Sequence, residues 1–563
     1  MTESLTTILE KPWAKSAARI GWGVLILATL YVCYFSHLGA IGFVGPDEPR
    51  YAWIARDMAE TGDWVTPRLY GKPWFEKPPL FYWGAAICFK LFGVSETAAR
   101  LPSAISALLA TLALAWLAWR LYGPETARWL LLLLPTTVGM VGFSHAAATD
   151  MPFSGMLTIA MVCAAVALGL TRDENTPVIP GTPWIALILF GFFLGLAVLA
   201  KGPAAIILSG GAVFFWALFT KRWRDAFRLF HPAAIAAFCL TALPWYILCF
   251  RRNPDFFRVF IIEHNFKRYL TPEFQHIQPF WFYAPVLLVA LLPWTAALLW
   301  FVFSSSRRLW RMDQLAPSTC FLLLWAGFCI IFFTISRSKL PGYILPAIPA
   351  IGLLLARGLT SRMDERDLGL RWVCLSMGLT LVALGEVVAR LELKLPFVTD
   401  LIPASTPDGF AAWTISVGIV VGILGFFRTR RFSLGLVAMV MPVFMVLGTS
   451  ELWQLDAGVS ARPTAVGALN HLTGADLNKA TTYKLTRGLA FGLNFYLHRE
   501  LKEWTPANLQ HSIIFTSFVN SKELEKLGEQ CEKYTAYPAV TICEASGGEP
   551  SLMPGPTSGG KPK

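Results

Sequence analysis

The chain has 563 residues, of which 55% are hydrophobic and only 15% charged, and its formal net charge is +12. Soluble domains carry roughly 25% charged residues, so this composition excludes a soluble multidomain protein, and it also excludes a largely disordered chain. The segment 451–563 holds 11 basic and 11 acidic residues, so the first 450 residues carry the whole positive excess. A basic excess confined to an apolar region indicates membrane topology and anionic lipid rather than nucleic acid.

The apolar runs predict a mainly α-helical, polytopic membrane bundle. A helix needs about 20 mostly apolar residues to cross a bilayer, and this length predicts about 13 transmembrane helices. The predicted spans are 17–40, 99–119, 129–146, 151–170, 184–200, 203–220, 229–250, 280–304, 317–335, 341–357, 369–389, 410–427 and 432–450.

Charge in the loops predicts the orientation of these spans. Short basic loops occur at 221–224, 307–311, 357–366 and 428–431, and the positive-inside rule places them in the cytoplasm. The first span follows several basic residues and is too long for a signal-peptide core, so we expect an uncleaved anchor with a cytoplasmic N-terminus. The opposite side then carries the loops 41–98 and 251–278, together with everything after residue 450.

The polar and apolar residues alternate after residue 450, which predicts a separate fold. Strands are expected at 481–485 and 512–516, with a short helix from Ser521 to Gln530. We therefore divide the chain into a membrane domain (1–450), a small α/β domain (451–546) and a disordered Gly/Pro/Ser-rich tail (547–563). The small domain contains Cys531 and Cys543, which could pair if the surrounding compartment is oxidising.

The first charged cluster on the outer side directly follows span one. Asp47 and Glu48 are adjacent carboxylates, followed by Arg50 and Tyr51. Such a pair at a helix end could serve acid–base chemistry or hold a cation. Asp47 could equally start a helix, with Glu48 favoured by the helix dipole. The two interpretations are compatible.

Two further clusters lie in the outer loops. Glu76 and Lys77 precede two prolines and an aromatic stretch that includes Tyr82. Lys77 could bind a phosphate or form a surface ion pair with Glu76, and the aromatic residues alone could be an interfacial belt. Asp150 lies between two closely spaced spans, where no loop solvates it, so a functional role is favoured.

Four cations occupy the face on which the positive-inside rule predicts few, namely Lys77, Lys201, Arg268 and Lys339. We predict that they form one outer site for a phosphate-bearing lipid, the alternative being loose contact with anionic head groups. His264 could ligate a metal together with Glu76, although one His–Glu pair is a weak signal and could equally be a histidine in a polar loop.

Five motifs of this chain, in their order, resemble those of bacterial GT-C membrane glycosyltransferases. Among these, the chain is most similar to the lipid A 4-amino-4-deoxy-L-arabinose transferases, relatives of the protein O-mannosyltransferases. The resemblance covers the membrane region and the layout of spans followed by an outer domain. The motifs are Pro-Asp-Glu-Pro-Arg-Tyr (46–51), Phe-Glu-Lys-Pro-Pro-Leu (75–80), Thr-Asp-Met-Pro (149–152), Ala-Lys-Gly-Pro (200–203) and Ser-Lys-Leu-Pro-Gly-Tyr (338–343).

This resemblance implies a polytopic enzyme of the bacterial inner membrane, with its active site and C-terminal domain on the periplasmic face. The donor would be an undecaprenyl-phosphate-linked sugar, the acceptor a lipid A phosphate, and the consequence resistance to polymyxin and cationic peptides. Asp47 and Asp150 would be the catalytic residues and Lys77 the phosphate-binding lysine. Glu76 and His264 would bind a divalent metal, with zinc the candidate, and no other cofactor is called for. The remaining substrate- and phosphate-binding residues would be Glu48, Arg50, Tyr51, Tyr82, Lys201, Arg268, Lys339 and Tyr343.

Two other functions stay open at the level of sequence. The same fold could transfer the sugar to a protein hydroxyl or another glycan, in which case the acceptor needs a base and Asp47 is the candidate. A phosphate acceptor is already ionised and needs positioning instead. A lipid transporter or flippase is disfavoured, because the ionisable residues collect at one membrane face and no paired broken helices are evident.

Overall fold

The computed structural model describes residues 12–171, 182–267, 277–309, 315–363, 368–390, 406–427, 430–447, 456, 458–505, 512–526, 530–532 and 540–545. The chain forms two compact units. The first comprises Met1–Ala40 and Tyr51–Glu451, and the second comprises Ile41–Arg50 and Leu452–Lys563. The short segment 41–50, which carries Asp47, is thus part of the second unit, whereas the sequence predicts it within the membrane domain 1–450.

The first unit is built from helices. Its two short strands, Arg68–Leu69 and Lys72–Pro73, pair as an antiparallel hairpin. Its α-helices are Pro12–Phe35, Leu80–Phe92, Glu96–Tyr122, Pro124–Leu133, Val138–Ser144, Asp150–Ala167, Thr182–Lys201, Ala204–Thr220, Trp223–Phe227, Pro232–Arg252, Tyr283–Ala290, Thr295–Leu309, Pro317–Ile335, Ile348–Thr360, Leu368–Arg390, Thr406–Phe426 and Arg430–Leu447, and the helix Asp47–Thr61 enters it at Tyr51. A π-helix spans Arg258–Lys267, and 3-10 helices span Arg228–Phe230, Phe280–Phe282 and Pro341–Ala347.

Within the described residues, eight helices are long and apolar enough to cross a membrane, or up to ten if each of two bent pairs is one span. The multi-pass architecture is therefore confirmed, whereas the count of about 13 stays a prediction. Shorter apolar helices coincide with further predicted spans, including Arg19–Phe35, Ala204–Thr220 and Ala411–Phe426. The eight are Glu96–Tyr122, Asp150–Ala167, Trp184–Lys201, Pro232–Arg252, Pro317–Ile335, Pro341–Thr360, Gly369–Val387 and Arg430–Leu447.

The two bent pairs differ from the straight spans predicted at 129–146 and 280–304. The first bends by 63° and the second by 119°. Each break contains a proline, which has no N–H to continue the helical hydrogen bonds. The breaks also contact each other, because Val138 donates its N–H to the Leu292 carbonyl at 3.0 Å, and Trp294 donates its indole N–H to Thr136 Oγ1 at 3.0 Å. Polar groups freed by one bend are thereby satisfied by the other.

The second unit contains a mixed five-stranded sheet, consistent with the predicted α/β domain. The strand order is 502–503, 481–483, 512–516, 541–545 and 530–532, with the first three strands parallel and the last two pairings antiparallel. Its helices are Arg462–His471, Gly474–Asn478, Arg487–Leu497 and Phe518–Lys526.

The two cysteines of the small domain lie on adjacent strands. Cys531 faces Cys543 in the register of strands 530–532 and 541–545, and Cys543 is disulfide-bonded. The tail 547–563, predicted to be disordered, lies outside the described residues.

Candidate functional site

An ion pair joins the ends of two helices in the first unit. Asp150 begins the helix Asp150–Ala167, and Lys201 ends the helix Thr182–Lys201. The Lys201 Nζ lies 2.5 Å from Asp150 Oδ1, and the two side chains are only 13% and 19% exposed. An anion in a first helical turn and a cation in a last turn each complement the helix dipole. The local chain therefore favours both charges where they stand.

The turn after Lys201 explains why this cation stays at a helix end. Gly202 has φ of +95°, a conformation that residues with a Cβ rarely adopt, and Pro203 follows it. The Gly202 N–H still bonds the Val198 carbonyl at 2.8 Å, which closes the last turn. The motif Ala-Lys-Gly-Pro thus ends one helix directly after Lys201 and begins another at Ala204.

Aromatic rings and one glycine complete the surroundings of this pair. The Lys201 ammonium lies 4.7 Å from the Tyr343 ring centroid and 5.7 Å from that of Phe153. Gly342 lies against Asp150 so closely that an added Cβ would be 2.5 Å from Oδ1. The structure thus brings together three predicted site residues, Asp150, Lys201 and Tyr343. Phe153 and Gly342 were not predicted, although Gly342 stands within a motif.

The predicted phosphate-binding loop is fixed by the residue that precedes it. Glu76 Oε1 and Lys77 Nζ are 3.6 Å apart, and their side chains are 11% and 12% exposed. Phe75 is buried in an aromatic cluster that includes Trp245 and Phe256, the latter at 5.2 Å between ring centroids. Leu199, two residues before Lys201, belongs to the same cluster. One apolar core therefore supports both Lys77 and the end of the Lys201 helix.

A cavity of about 500 Å³ lies beside Glu76. Its basic residues already have acidic partners, since Arg252 contacts Asp63 at 3.0 Å and Arg258 contacts Glu263 at 2.9 Å. Both arginine side chains are more than half exposed, so these are surface ion pairs, which contribute little free energy. Its lining residues are Pro73, Trp74, Phe75, Glu76, Arg252, Asn253, Pro254, Asp255, Arg258 and Val259.

Lys339 is held by main-chain oxygens. Its side chain is buried, and Nζ donates to the Ser336 carbonyl at 2.7 Å and to the Gln278 carbonyl at 3.3 Å. An ammonium has three N–H donors, so the carbonyls account for two of them. The ammonium is therefore oriented by two main-chain carbonyls.

Tyr51 and Tyr82 lie in an aromatic trio with Phe81. The Tyr51 ring centroid is 5.7 Å from that of Tyr82 and 6.2 Å from that of Phe81, and all three side chains are fully buried. These rings therefore pack within the segment 51–98 of the first unit, and a substrate-binding role for Tyr51 and Tyr82 stays a prediction.

Asp47, Glu48 and Arg50 cluster in the second unit. Asp47 and Glu48 occupy the first turn of the helix Asp47–Thr61, as a dipole-favoured start of a helix would. Glu48 Oε2 accepts the Val44 N–H at 2.8 Å, and the Arg50 guanidinium forms an ion pair with Asp47. Asp47 is the more accessible carboxylate, since its side chain is 48% exposed whereas Glu48 is buried.

The predicted metal pair is described only in part. The backbone of His264 lies in the helix Arg258–Lys267, but its side chain and the whole of Arg268 lie outside the described residues. No group of three or more His, Cys, Asp or Glu residues that could hold a metal occurs in the described part of the chain. Zinc prefers four ligands, of which Glu76 and His264 would supply two. The metal site stays a prediction.

Several ionisable side chains of low exposure lie in the first unit. Lys77, Lys201 and Lys339 provide cations, and Asp150 can accept hydrogen bonds from hydroxyl or ammonium groups. Low exposure strengthens each of these interactions, because fewer water molecules screen them.

Comparisons with known proteins agree with this chemistry. The family model for dolichyl-phosphate-mannose-protein mannosyltransferases matches residues 22–260. The undecaprenyl phosphate-α-4-amino-4-deoxy-L-arabinose arabinosyl transferase of Edwardsiella ictaluri is 30% identical over 482 residues, covering 84% of each chain. The transferase of that name from Pseudomonas paraeruginosa is 32% identical over 378 residues, covering 67% of this chain and 66% of the relative.

A solved structure extends the similarity to the fold. The crystal structure of ArnT from Cupriavidus metallidurans bound to undecaprenyl phosphate superposes with a TM-score of 0.73 at 26% identity, covering 93% of this chain and 98% of that one. The resemblance seen in the five sequence motifs is thereby confirmed over most of the chain. This chain belongs to the family of undecaprenyl phosphate-4-amino-4-deoxy-L-arabinose arabinosyl transferases, which are membrane glycosyltransferases.

Proposed function

We propose that this protein transfers 4-amino-4-deoxy-L-arabinose from undecaprenyl phosphate to a phosphate of lipid A. The observation that carries the proposal is the similarity over 84% of both chains to a transferase of this donor. The Asp150–Lys201 pair, 2.5 Å apart beside Tyr343, supplies the local chemistry. The expected phenotype is resistance to polymyxin and other cationic peptides.

The reaction breaks the bond between the anomeric carbon and the oxygen of the polyprenyl phosphate. Negative charge grows on the departing phosphate, and we propose that Lys77 stabilises that charge. The acceptor phosphate is already ionised, so its oxygen attacks without a strong base, and a single displacement inverts the anomeric carbon.

The aspartates then act on the sugar rather than on the acceptor. We propose that Asp150, oriented by Lys201, binds polar groups of the donor sugar, and that Asp47 acts in the same reaction as the second essential carboxylate. A carboxylate suits this sugar because it can accept a charge-assisted hydrogen bond from the sugar's ammonium group.

We place the protein in the bacterial inner membrane, with its N-terminus in the cytoplasm and residues 451–563 in the periplasm. The basic loops at 221–224 and 357–366 support this orientation. The disulfide bond of Cys543 also supports it, because disulfides persist in the oxidising periplasm and are rare in the cytosol.

A bacterial strain that lacks its own lipid A aminoarabinose transferase provides the test. Expression of this chain should add a pentosamine to lipid A, detected by mass spectrometry, and should raise polymyxin resistance. The Asp150→Asn variant at equal membrane abundance is the control and should leave lipid A unmodified. Unmodified lipid A from the well-inserted wild-type chain would refute the proposed acceptor.

A second candidate keeps the donor class and changes the acceptor to a protein hydroxyl or another glycan. The match of residues 22–260 to the protein mannosyltransferase model favours it. This acceptor needs a general base, for which Asp47 is the candidate. Sugar found on membrane or periplasmic proteins, with lipid A unmodified, would identify this activity.

A further inference from the structure

The segment 41–50, which carries Asp47, is hydrogen-bonded to the C-terminal domain within the second unit. Gly42 donates its N–H to Asp456 Oδ1 at 2.7 Å, and Phe43 donates its N–H to the Tyr496 hydroxyl at 2.9 Å. Asp456 is itself buried and held by the Arg462 guanidinium at 2.6 Å. Two consecutive main-chain donors before Asp47 are thus anchored by side chains from the far end of the sequence.

Aromatic packing reinforces this anchor. The Phe43 side chain is 2% exposed and meets Phe495 edge-on, with ring centroids 4.8 Å apart. It also stacks on Tyr496, with centroids 6.0 Å apart and an interplanar angle of 23°. Both partners belong to the helix Arg487–Leu497. One helix therefore holds both the backbone and the side chain of Phe43.

The same helix reaches the turn that contains Asp47. A Cβ added to Gly488 would lie 2.9 Å from the carbonyl carbon of Gly45, which itself has φ of +69°. The Phe491 ring lies 5.7 Å from the Arg50 guanidinium, and Arg50 is ion-paired with Asp47. Gly488 thus packs on the backbone two residues before Asp47, and Phe491 contacts the partner of its carboxylate.

We propose that the helix Arg487–Leu497 positions Asp47 for catalysis, with Gly488, Phe491 and Tyr496 as positioning residues. Two main-chain hydrogen bonds to this domain, the buried Phe43 ring and the close contact at Gly45 restrict the conformations open to the segment 41–50. The carboxylate orientation is then set by the C-terminal domain. This inference rests on the proposed role of Asp47 in sugar transfer.

Gly488→Ala is the sharpest test, because it removes no polar group and adds one methyl against the Gly45 backbone. Gly474→Ala is the matched control in the same domain, since no atom lies within 4 Å of a Cβ at Gly474. Purified variants would be assayed with undecaprenyl-phosphate aminoarabinose and lipid A. Displacement of a reacting group by about 1 Å can cost roughly 10²-fold in rate.

We expect Gly488→Ala to lower kcat by ~10- to 100-fold, with the donor KM unchanged and the melting temperature near that of the control. Tyr496→Phe keeps the stacked ring and loses the hydroxyl, so it should give a smaller kcat loss of the same kind. Wild-type kcat in both variants would overturn the inference. A loss of kcat that is fully explained by a smaller amount of folded protein would also overturn the inference.

The Asp47→Asn variant separates this inference from the function on which it rests. If Asp47→Asn is fully active, the proposed role of Asp47 is wrong. If Asp47→Asn is impaired while Gly488→Ala is not, only the positioning role fails. Gly488→Ala should also leave the residual rate of Asp47→Asn unchanged, whereas an equal further loss would show that it acts elsewhere and would overturn the inference.

Discussion

Asp150 and Lys201 are 51 residues apart in the sequence, yet Lys201 Nζ donates to Asp150 Oδ1 at 2.5 Å. The contact joins the start of one apolar helix to the end of the next. Two charges of low exposure are strongly coupled, because removing either one leaves the other charge without a partner and poorly solvated. The two residues are therefore expected to act together.

This coupling predicts non-additive mutational effects. Lys201→Met and Asp150→Asn should each lower the transfer rate by ~10²- to 10³-fold. The rate of the double variant should be no lower than that of the less active single variant. Rates would be measured on purified protein, with Lys479→Met as an exposed-lysine control. Losses that multiply in the double variant would show that the two residues act independently.

Gly342→Ala should displace the Asp150 carboxylate. The added Cβ would lie 2.5 Å from Asp150 Oδ1 and 2.9 Å from Phe143 Cε1, so a neighbour must move. We expect kcat to fall by ~10- to 100-fold while the protein still inserts. Gly327→Ala, where no atom lies within 4 Å of a Cβ, should be fully active. Equal activity of the two variants would contradict the assigned packing.

Lys77→Met should weaken donor binding. Loss of a charge-assisted contact to the polyprenyl phosphate is expected to raise the donor KM by ~10-fold or more. Lys72→Met, five residues earlier on an exposed strand, is the control. Steady-state kinetics with varied donor would check this prediction, and an unchanged KM and kcat would remove Lys77 from the phosphate site.

The metal prediction is tested by composition rather than by activity. If Glu76 and His264 bind zinc, purified wild-type protein should contain bound zinc by elemental mass spectrometry. Glu76→Gln should lose most of it, whereas Glu60→Gln, on an exposed helix surface, should not. Equal zinc content in wild-type protein and Glu76→Gln would reject the pair as ligands.

Asp57 should make stability fall as the pH rises. Burial raises the pKa of this carboxyl, and its Oδ2 has no hydrogen-bond partner among the described residues. The folded state then binds the proton of Asp57 more tightly than the unfolded chain does. This proton binding stabilises the folded state fully below the unfolded pKa of about 3.9, and the stabilisation is lost as the pH rises through the folded pKa. Asp57→Asn should raise the melting temperature at pH 7 and flatten its pH dependence.

The sequence alone determined the membrane class, the family and the identity of most candidate residues. All three follow from local properties of the sequence. The length of an apolar run predicts a membrane span, and a short motif such as Thr-Asp-Met-Pro can be recognised without knowing the fold. The bends at Pro135 and Pro293 were missed, since an apolar run of sufficient length looks the same whether straight or broken.

Only the tertiary structure decided which residues meet. Lys201 was predicted as a phosphate-binding cation, and its ion pair with Asp150 depends on how two helices pack. Gly342 and Gly488 matter because of atoms that approach them from distant parts of the chain. The attachment of residues 41–50 to the C-terminal domain likewise depends on side chains more than 400 positions away, such as Asp456, whose hydrogen bond to Gly42 spans 414 residues. Such contacts leave no periodicity or composition signal, because they arise from packing between segments and not from any one segment.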